Sequence, residues 1–430
     1  MKVCVQGQWH LGTVTAACLA TVGHEVVGLD SDVGVVANLR NALPPVLEPG
    51  LDGLIREGIE SGRLSFSSDT EESVSGAKVL WVTFDTPVDQ SDQADVGVVL
   101  DEVSRVLPYL DQHTLVLISS QLPVGSIRCL EELAATLYPE KQLQFACSPE
   151  NLRLGQALKS FLDHDRVIVG VSDQVDRDTL DALFSPITKN LILMGIESSE
   201  MTKHAINAFL GLSITFINEI ASICEKVGAD AREVEAGMKS ERRIGSSAYL
   251  SPGAAFAGGT LARDVAYLES VSRAEDLRSP LIGAVRISND HHQGWVQRQL
   301  ASVVGDILGK RICILGLTYK PGTNTLRRSS SVQICNWLLS VGAEVVVHDP
   351  SNCELPDNWH GHVVRAESPL EYLDGTTALV VSTPWPEYKD ISVRELEERS
   401  KSLIVVDANR FLEHLSKSAT ISYISVGVGI

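Results

Sequence analysis

The sequence predicts an α/β protein with two Rossmann-like, doubly wound domains joined by a long central helical region. Three observations predict it. Short runs rich in Val, Ile and Leu alternate with helix-like stretches at both ends of the chain. A helical pattern without turn punctuation fills residues 199–227. A strand running into a glycine-containing turn and then a helix opens each end, once at residues 2–12 and again from residue 310. At 430 residues the chain exceeds one ordinary hydrophobic core, so two or three domains are expected.

Taken in order, residues 2–6, 25–30, 78–83, 114–119, 143–148 and 166–171 read as strands apolar on both faces, with helical patterns such as 13–22 between them. That alternation argues for a parallel sheet covered by helices on both sides. In the middle, Ile206, Phe209, Leu210, Ile214, Ile217, Ile220 and Ile223 recur at three- and four-residue spacing, the stripe of a long helix. A second helical stretch runs from 261 to 300. At Lys310 the βα pattern restarts: a strand entering a glycine loop, a helix over 330–341, and strands at 344–348, 378–382 and 403–407. The predicted divisions are 1–195, 196–300 and 301–430.

Composition narrows the function. A net charge of −19 with pI near 5.0 repels phosphate backbones and anionic lipids, so neither nucleic acid nor a membrane is an expected partner. The N-terminal MKVCVQGQWHLG has no basic leader followed by a long apolar region, and no run of about 18 apolar residues suggests a membrane span. The eight cysteines are scattered without a CxxC pair, which reads as reduced core cysteines in a cytoplasmic protein. His10, His204, His291 and His292 lack metal-ligand spacing, so no metal is expected.

The first glycine turn, Gly7-Gln8-Trp9-His10-Leu11-Gly12, places backbone N–H groups and a helix N-terminus where a dinucleotide pyrophosphate sits. The outer glycines of GxGxxG are present, and Trp9 occupies the middle position. Asp30, at the end of the second strand, suits the ribose diol of NAD and disfavours the extra phosphate of NADP. A tight βα turn without a ligand is the competing explanation.

Further motifs, in order along nearly the whole chain, resemble the family of UDP-glucose, GDP-mannose and UDP-N-acetylmannosamine dehydrogenases. Leu47-Glu48-Pro49-Gly50-Leu51 resembles the family's loop after the second strand. Asp85-Thr86-Pro87 with Ala94-Asp95 is similar to its TP…aD element, and Ser119-Ser120-Gln121-Leu122-Pro123-Val124-Gly125 to its STVPxG. Pro149-Glu150 with Leu152, Gly155 and Ala157 is similar to PExLxxGxA, and Glu200-Met201-Thr202-Lys203 with Asn207, Asn218 and Glu219 to the central helix. Arg243-Ile244-Gly245, Tyr249 and Leu250 lead into Gly258-Gly259-Thr260-Leu261-Ala262-Arg263-Asp264, which resembles GGxCxxKD. Leu317-Thr318-Tyr319-Lys320, then Leu326-Arg327 and Ser329, is similar to the start of the nucleotide-binding C-terminal domain.

The resemblance implies oxidation of a nucleotide-sugar primary alcohol to aldehyde and then acid with two NAD, the aldehyde being captured by a cysteine thiol. It assigns residues 1–195 to NAD, 196–300 to dimerisation and the sugar site, and 301–430 to a UDP-sugar. Lys203, Asn207, Asp264 and Glu150 match the family's catalytic positions, whereas Thr260 stands where the cysteine belongs. Gln121 replaces a threonine, Arg263 a lysine, and Leu154 a glutamate used in thioester hydrolysis. Cofactor binding falls on Gly7, Trp9, His10, Leu11, Gly12, Asp30, Thr86, Pro87 and Gln121. Substrate binding falls on Leu152, Arg243, Tyr249, Gly258, Gly259, Lys320 and Arg327. Blander roles compete at several of these: a solvated Lys203–Asn207 pair, a helix cap at Asp264, surface cations at Arg243, Lys320 and Arg327.

The expectation is therefore an NAD-dependent oxidoreductase of a nucleotide-diphosphate sugar, most readily a UDP-sugar, working as a homodimer and limited to alcohol and aldehyde chemistry. A threonine hydroxyl is a far poorer nucleophile than a thiolate. Two alternatives stay open: a full acid-forming dehydrogenase with a rearranged mechanism, and a nucleotide-sugar-binding homologue without catalysis.

Overall fold

A computed structural model describes residues 1–430 apart from 87–94, 151, 153, 173, 174, 258, 352 and 430. The chain divides into two compact units, Met1–Ile206 and Asn207–Ile430.

Among its described residues the first unit carries an eight-stranded sheet in the order β3-β2-β1-β4-β5-β6-β7-β8. The strands are β1 (Lys2–Gln6), β2 (Glu25–Leu29), β3 (Leu64–Ser67), β4 (Val79–Val82), β5 (Leu115–Ile118), β6 (Gln144–Cys147), β7 (Val167–Val171) and β8 (Leu191–Met194). Because successive side chains leave a strand on opposite faces, each strand feeds two cores. Val3, Val5, Val79, Trp81, Leu115 and Leu117 enter one. Cys4, Leu80, Val82, Val116 and Ile118 enter the other. This is why the strands are apolar throughout, and it makes the sheet doubly wound.

The sheet differs from the expected all-parallel one at a single seam. β6 pairs with β7 antiparallel, through Ala146 opposite Val171, and β8 then runs parallel to β7. Among its described residues the link from β6 to β7 carries the six-residue helix Ala157–Leu162, and the chain re-enters the sheet at the end where it left.

The second unit repeats the plan. Its described strands are β9 (Arg311–Leu315), β10 (Glu344–His348), β11 (Val363–Arg365), β12 (Thr376–Val381), β13 (Ile404–Asp407) and β14 (Ser422–Ile424), in the order β11-β10-β9-β12-β13-β14 with every pairing parallel. Again alternate residues split between two cores, Ile312 and Ile314 into one and Cys313 and Leu315 into the other.

In sequence between the strands of the two units, the helix Ile196–Val227 continues across the division at Ile206. Over its most apolar 18-residue window the mean hydropathy is 1.4, and only 44% of that window is buried. A buried core helix passes the same length and composition test as a membrane span. Its outward face carries exposed Phe209, Phe216 and Ile223, seven residues apart, with Val227 beyond. The expected helical stretch 261–300 is three helices, Thr260–Ala274, Pro280–Gln293 and Trp295–Val304. Asp276 breaks the first at φ +51°, and Pro280 starts the second with a residue that has no N–H to leave unpaired.

Candidate functional site

In the first unit, strand order reverses between β1 and β4, and the chain leaves β1 into the glycine turn at that crevice. Gly7 has φ +90°, and its N–H donates to the Leu29 carbonyl at 2.9 Å. A Cβ on Gly12 would lie 1.8 Å from the Gly7 carbonyl oxygen, so only glycine lets the helix His10–Thr21 start this close to the strand. The turn is also tethered to β2: Asp30 accepts from the Gln8 N–H at 2.7 Å and from the Asp32 N–H at 2.9 Å. Trp9 caps the helix with an ordinary extended backbone (φ −88°, ψ −151°), and the residue is 50% exposed. It therefore needs no glycine conformation and leaves the turn undistorted. Leu11 lies in the first turn of the helix and is half-buried. The residues fit a dinucleotide: the space a Cβ would fill at Gly12 is kept open, and the helix N-terminus follows at once.

His10 is turned to a different task. Its Nε2 lies 3.0 Å from the buried Glu48 carboxylate, which also accepts from the Gly155 N–H at 2.7 Å and the Ala157 N–H at 2.8 Å. Burial opposes ionisation of Glu48, but the bonds from His10, Gly155 and Ala157 prevail and hold its carboxyl below the usual value. Glu48 thus ties together two motifs more than 100 positions apart, the LEPGL loop and the segment after β6. The sequence shows both motifs but not the tie, because a carboxylate in a loop looks like surface until its donors are known.

Glu200 does the same for two more motifs. It accepts from the Gly125 N–H at 2.7 Å and the Ile127 N–H at 3.2 Å, capping the helix Ser126–Leu137 from the central helix. Beside it His204 Nε2 donates to the Leu122 carbonyl at 3.2 Å. Thr86 Oγ1 donates to the Gln121 carbonyl at 2.6 Å, joining the loops after β4 and β5, while Pro87 lies outside the described residues. Lys203 Nζ donates to the main-chain carbonyl of Glu150, bringing together two of the expected catalytic residues. Leu152 and the Glu150 carboxyl line a cleft of about 300 Å³ in this unit.

The second unit holds the threonine. Thr260 is the first residue of the helix Thr260–Ala274 and is exposed in a cleft of about 890 Å³, together with Arg232, Glu235, Tyr249, Phe256 and Tyr319. Gly259 precedes it at φ +119°, and Gly258 lies outside the described residues. One turn further on, Asp264 is fully buried and accepts from the Asn207 side-chain amide. The loop leading to Thr260 is held from two helices, Ile196–Val227 and Pro280–Gln293. Asn218 Oδ1 accepts from the Gly253 N–H at 3.0 Å, and His292 Nε2 donates to the Gly253 carbonyl at 2.8 Å. Asn289 exchanges hydrogen bonds with the Phe256 N–H and carbonyl at 3.0 and 2.9 Å. Burial pulls His292 below its ordinary value, so it stays neutral.

Arg243 is not in that lining; it is exposed and paired with Glu241 at 3.0 Å. Lys320 and Arg327 stand on the loop between β9 and the helix Ser330–Ser340, also outside the lining. That loop repeats the first unit's device: Gly316 sits at φ +87°, and Asp349, at the end of β10, accepts from the Leu317 and Thr318 N–H groups at 2.6 and 3.0 Å. Lys320 and Arg327 are thereby presented at the reversal between β9 and β12.

Burial pushes the thiols of Cys4, Cys18, Cys147 and Cys335 up to about 12, which suppresses the thiolate.

Residues 1–188 match the UDP-glucose/GDP-mannose dehydrogenase family model for the NAD binding domain, 197–291 its central domain and 313–414 its UDP binding domain. The chain is 33% identical over 414 residues to UDP-glucose 6-dehydrogenase of Rhizobium meliloti, covering 95% of this chain and 94% of that protein. It is 30% identical over 443 residues to UDP-glucose 6-dehydrogenase of Pseudomonas aeruginosa, covering 100% and 97%. A solved UDP-glucose dehydrogenase from Pyrobaculum islandicum superposes with a TM-score of 0.85 at 27% identity, covering 100% of this chain and 97% of that one.

Proposed function

Because the chain belongs to the UDP-glucose/GDP-mannose dehydrogenase family, and is an NAD-dependent dehydrogenase of nucleotide sugars, we propose that it oxidises a UDP-sugar primary alcohol only to the aldehyde or its hydrate. The observation that carries the reading is Thr260, a hydroxyl at the first position of its helix in the cleft. Going on to the acid by the thioester route needs a nucleophile that adds to the aldehyde and then leaves as a good leaving group. A thiol does both; an alkoxide does neither well at neutral pH. The helix N-terminus at Thr260 favours negative charge nearby and steadies an aldehyde oxygen without forming a bond to it.

In this reading Gly7, Gly12, Trp9, Leu11 and Asp30 hold NAD, with Thr86 and Gln121 on the neighbouring loops. Bound NAD supplies the hydride acceptor. Lys203 and Asn207, four residues apart on one helix, stabilise the developing alkoxide, and Asp264 orients the Asn207 amide and handles the hydroxyl proton. Tyr249 and Gly259 serve the sugar on the second unit. Lys320 and Arg327 answer the diphosphate.

The exposed stripe of Phe209, Phe216 and Ile223 supports a homodimer packed along the central helix, and the acidic, cysteine-reduced chain supports a cytoplasmic one. Replacing Phe209 and Phe216 together by Glu gives a monomer in light scattering if that stripe is the seam; an unchanged dimer places the seam elsewhere. The functional reading is tested by the ratio of NADH to oxidised sugar with UDP-sugars. Two NADH per sugar with a uronic acid product refutes it.

A further inference from the structure

The Glu150 carboxyl has a neighbour that none of the sequence motifs contains. His164 follows the helix Ala157–Leu162 and stacks edge-on against Phe161, with ring centroids 5.7 Å apart. Its Nδ1 lies 2.8 Å from the Phe161 carbonyl oxygen. A carbonyl only accepts, so Nδ1 carries the hydrogen and Nε2 is the atom that gains or loses a proton. Nε2 faces Glu150 Oε2 at 3.7 Å. In the neutral ring a lone pair would confront the carboxylate there; in the protonated ring the two form a charge pair.

We propose that His164 is a positioning residue for Glu150: its imidazolium holds the carboxylate in place, and joins it to solvent through the 300 Å³ cleft that both residues line. The proposal rests on the reading of Glu150 as part of the reaction site.

Three features support it. Both side chains are largely buried, 19% exposed for His164 and 6% for Glu150, so their attraction is weakly screened. Among the described lining residues the other charges are Asp163 and Asp165, which reinforce the imidazolium, and Arg166, which opposes it. Burial pulls the ring down, but Glu150, the Phe161 carbonyl and Asp165 outweigh it and the net direction is up. Lys203 fixes the main chain of Glu150 at its carbonyl, so His164 and Lys203 grip one residue at its two ends.

The test is histidine Cε1 NMR on the full chain labelled at its 11 histidines, with the His164 signal identified by its loss in His164→Asn. The expected midpoint lies above the ordinary value of about 6.5 and falls by about one unit or more in Glu150→Gln. A midpoint that ignores Glu150→Gln overturns the proposal, whether or not the protein oxidises any sugar. In a protein that does, His164→Asn shifts the limb of the pH–kcat profile that follows the His164 midpoint. Loss of rate equally at all pH values, with the limb unmoved, would mean His164 only supports the fold. His164→Gln is the second variant if Asn does not fold, with circular dichroism as the check. A silent wild-type protein whose His164 still answers to Glu150→Gln would refute the functional reading and leave this pairing standing.

Discussion

Thr260→Cys puts the missing thiol at the first residue of a helix of 15 residues, in an open cleft. An unperturbed cysteine with a pKa of about 8.5 is about 9% thiolate at pH 7.5. A helix N-terminus stabilises an adjacent negative charge by roughly 0.3–1 kcal/mol, and up to about 2 kcal/mol when partly buried. At about 1.4 kcal/mol the pKa falls by about one unit and the thiolate reaches about half. The variant then adds to the aldehyde as a thiohemiacetal, which loses a second hydride to NAD and becomes a thioester. Leu154 stands where the family resemblance implies a glutamate for hydrolysing that thioester, so the second NADH is expected as a burst of about one per active site, followed by slow turnover. The assay is stopped-flow NADH absorbance with a UDP-sugar, plus intact-protein mass to find the acyl adduct, which hydroxylamine releases. Adding Leu154→Glu to Thr260→Cys converts the burst into steady acid production. Alcohol oxidation retained in Thr260→Cys, with neither burst nor adduct, would refute the claim that the thiol is what the wild-type chain lacks.

Other outcomes follow from the same geometry. Gly12→Ala drives a Cβ to 1.8 Å from the Gly7 carbonyl oxygen and 2.6 Å from Thr83 Oγ1. It costs about 1–3 kcal/mol in a denaturant titration and removes saturable NAD binding; an unchanged Kd would detach the turn from the cofactor. Asp264→Asn keeps an acceptor for the Asn207 amide, so the unfolding midpoint barely moves while kcat falls about 10²–10⁴-fold; full activity would leave Asp264 a structural residue only. For Glu48 the folded carboxyl lies below its unfolded value of 4.5. Its stabilisation is complete above that value and fades as pH falls through the folded one. The destabilisation caused by Glu48→Gln therefore shrinks on acidification below about pH 4.5, read from urea midpoints at several pH values; a constant difference would contradict the assignment.

How far the sequence carried this account depended on burial. Strands apolar at every position, such as β4 and β5, were legible because both faces are covered. β3, with buried Leu64 and Phe66 alternating with Ser65 and Ser67, was missed, since an edge strand has a weaker apolar signal. The three-residue strands β11 and β14 were missed for the same reason. The antiparallel seam at β6 and β7 leaves no trace in composition, because direction is set by the path of the connection rather than by side chains. At the site, glycines and the Thr260 substitution were readable from type and spacing. The ties made by Glu48, Glu200, Asn289 and His164 were not, since each depends on a partner brought close only by folding.

The central claim is tested most directly by giving purified wild-type protein NAD and a panel of UDP-sugars with an aldehyde trap present, counting NADH and weighing the sugar product. The account predicts one NADH for each trapped aldehyde. A uronic acid with two NADH per sugar would contradict it, and would mean that Thr260 is no barrier to the second oxidation.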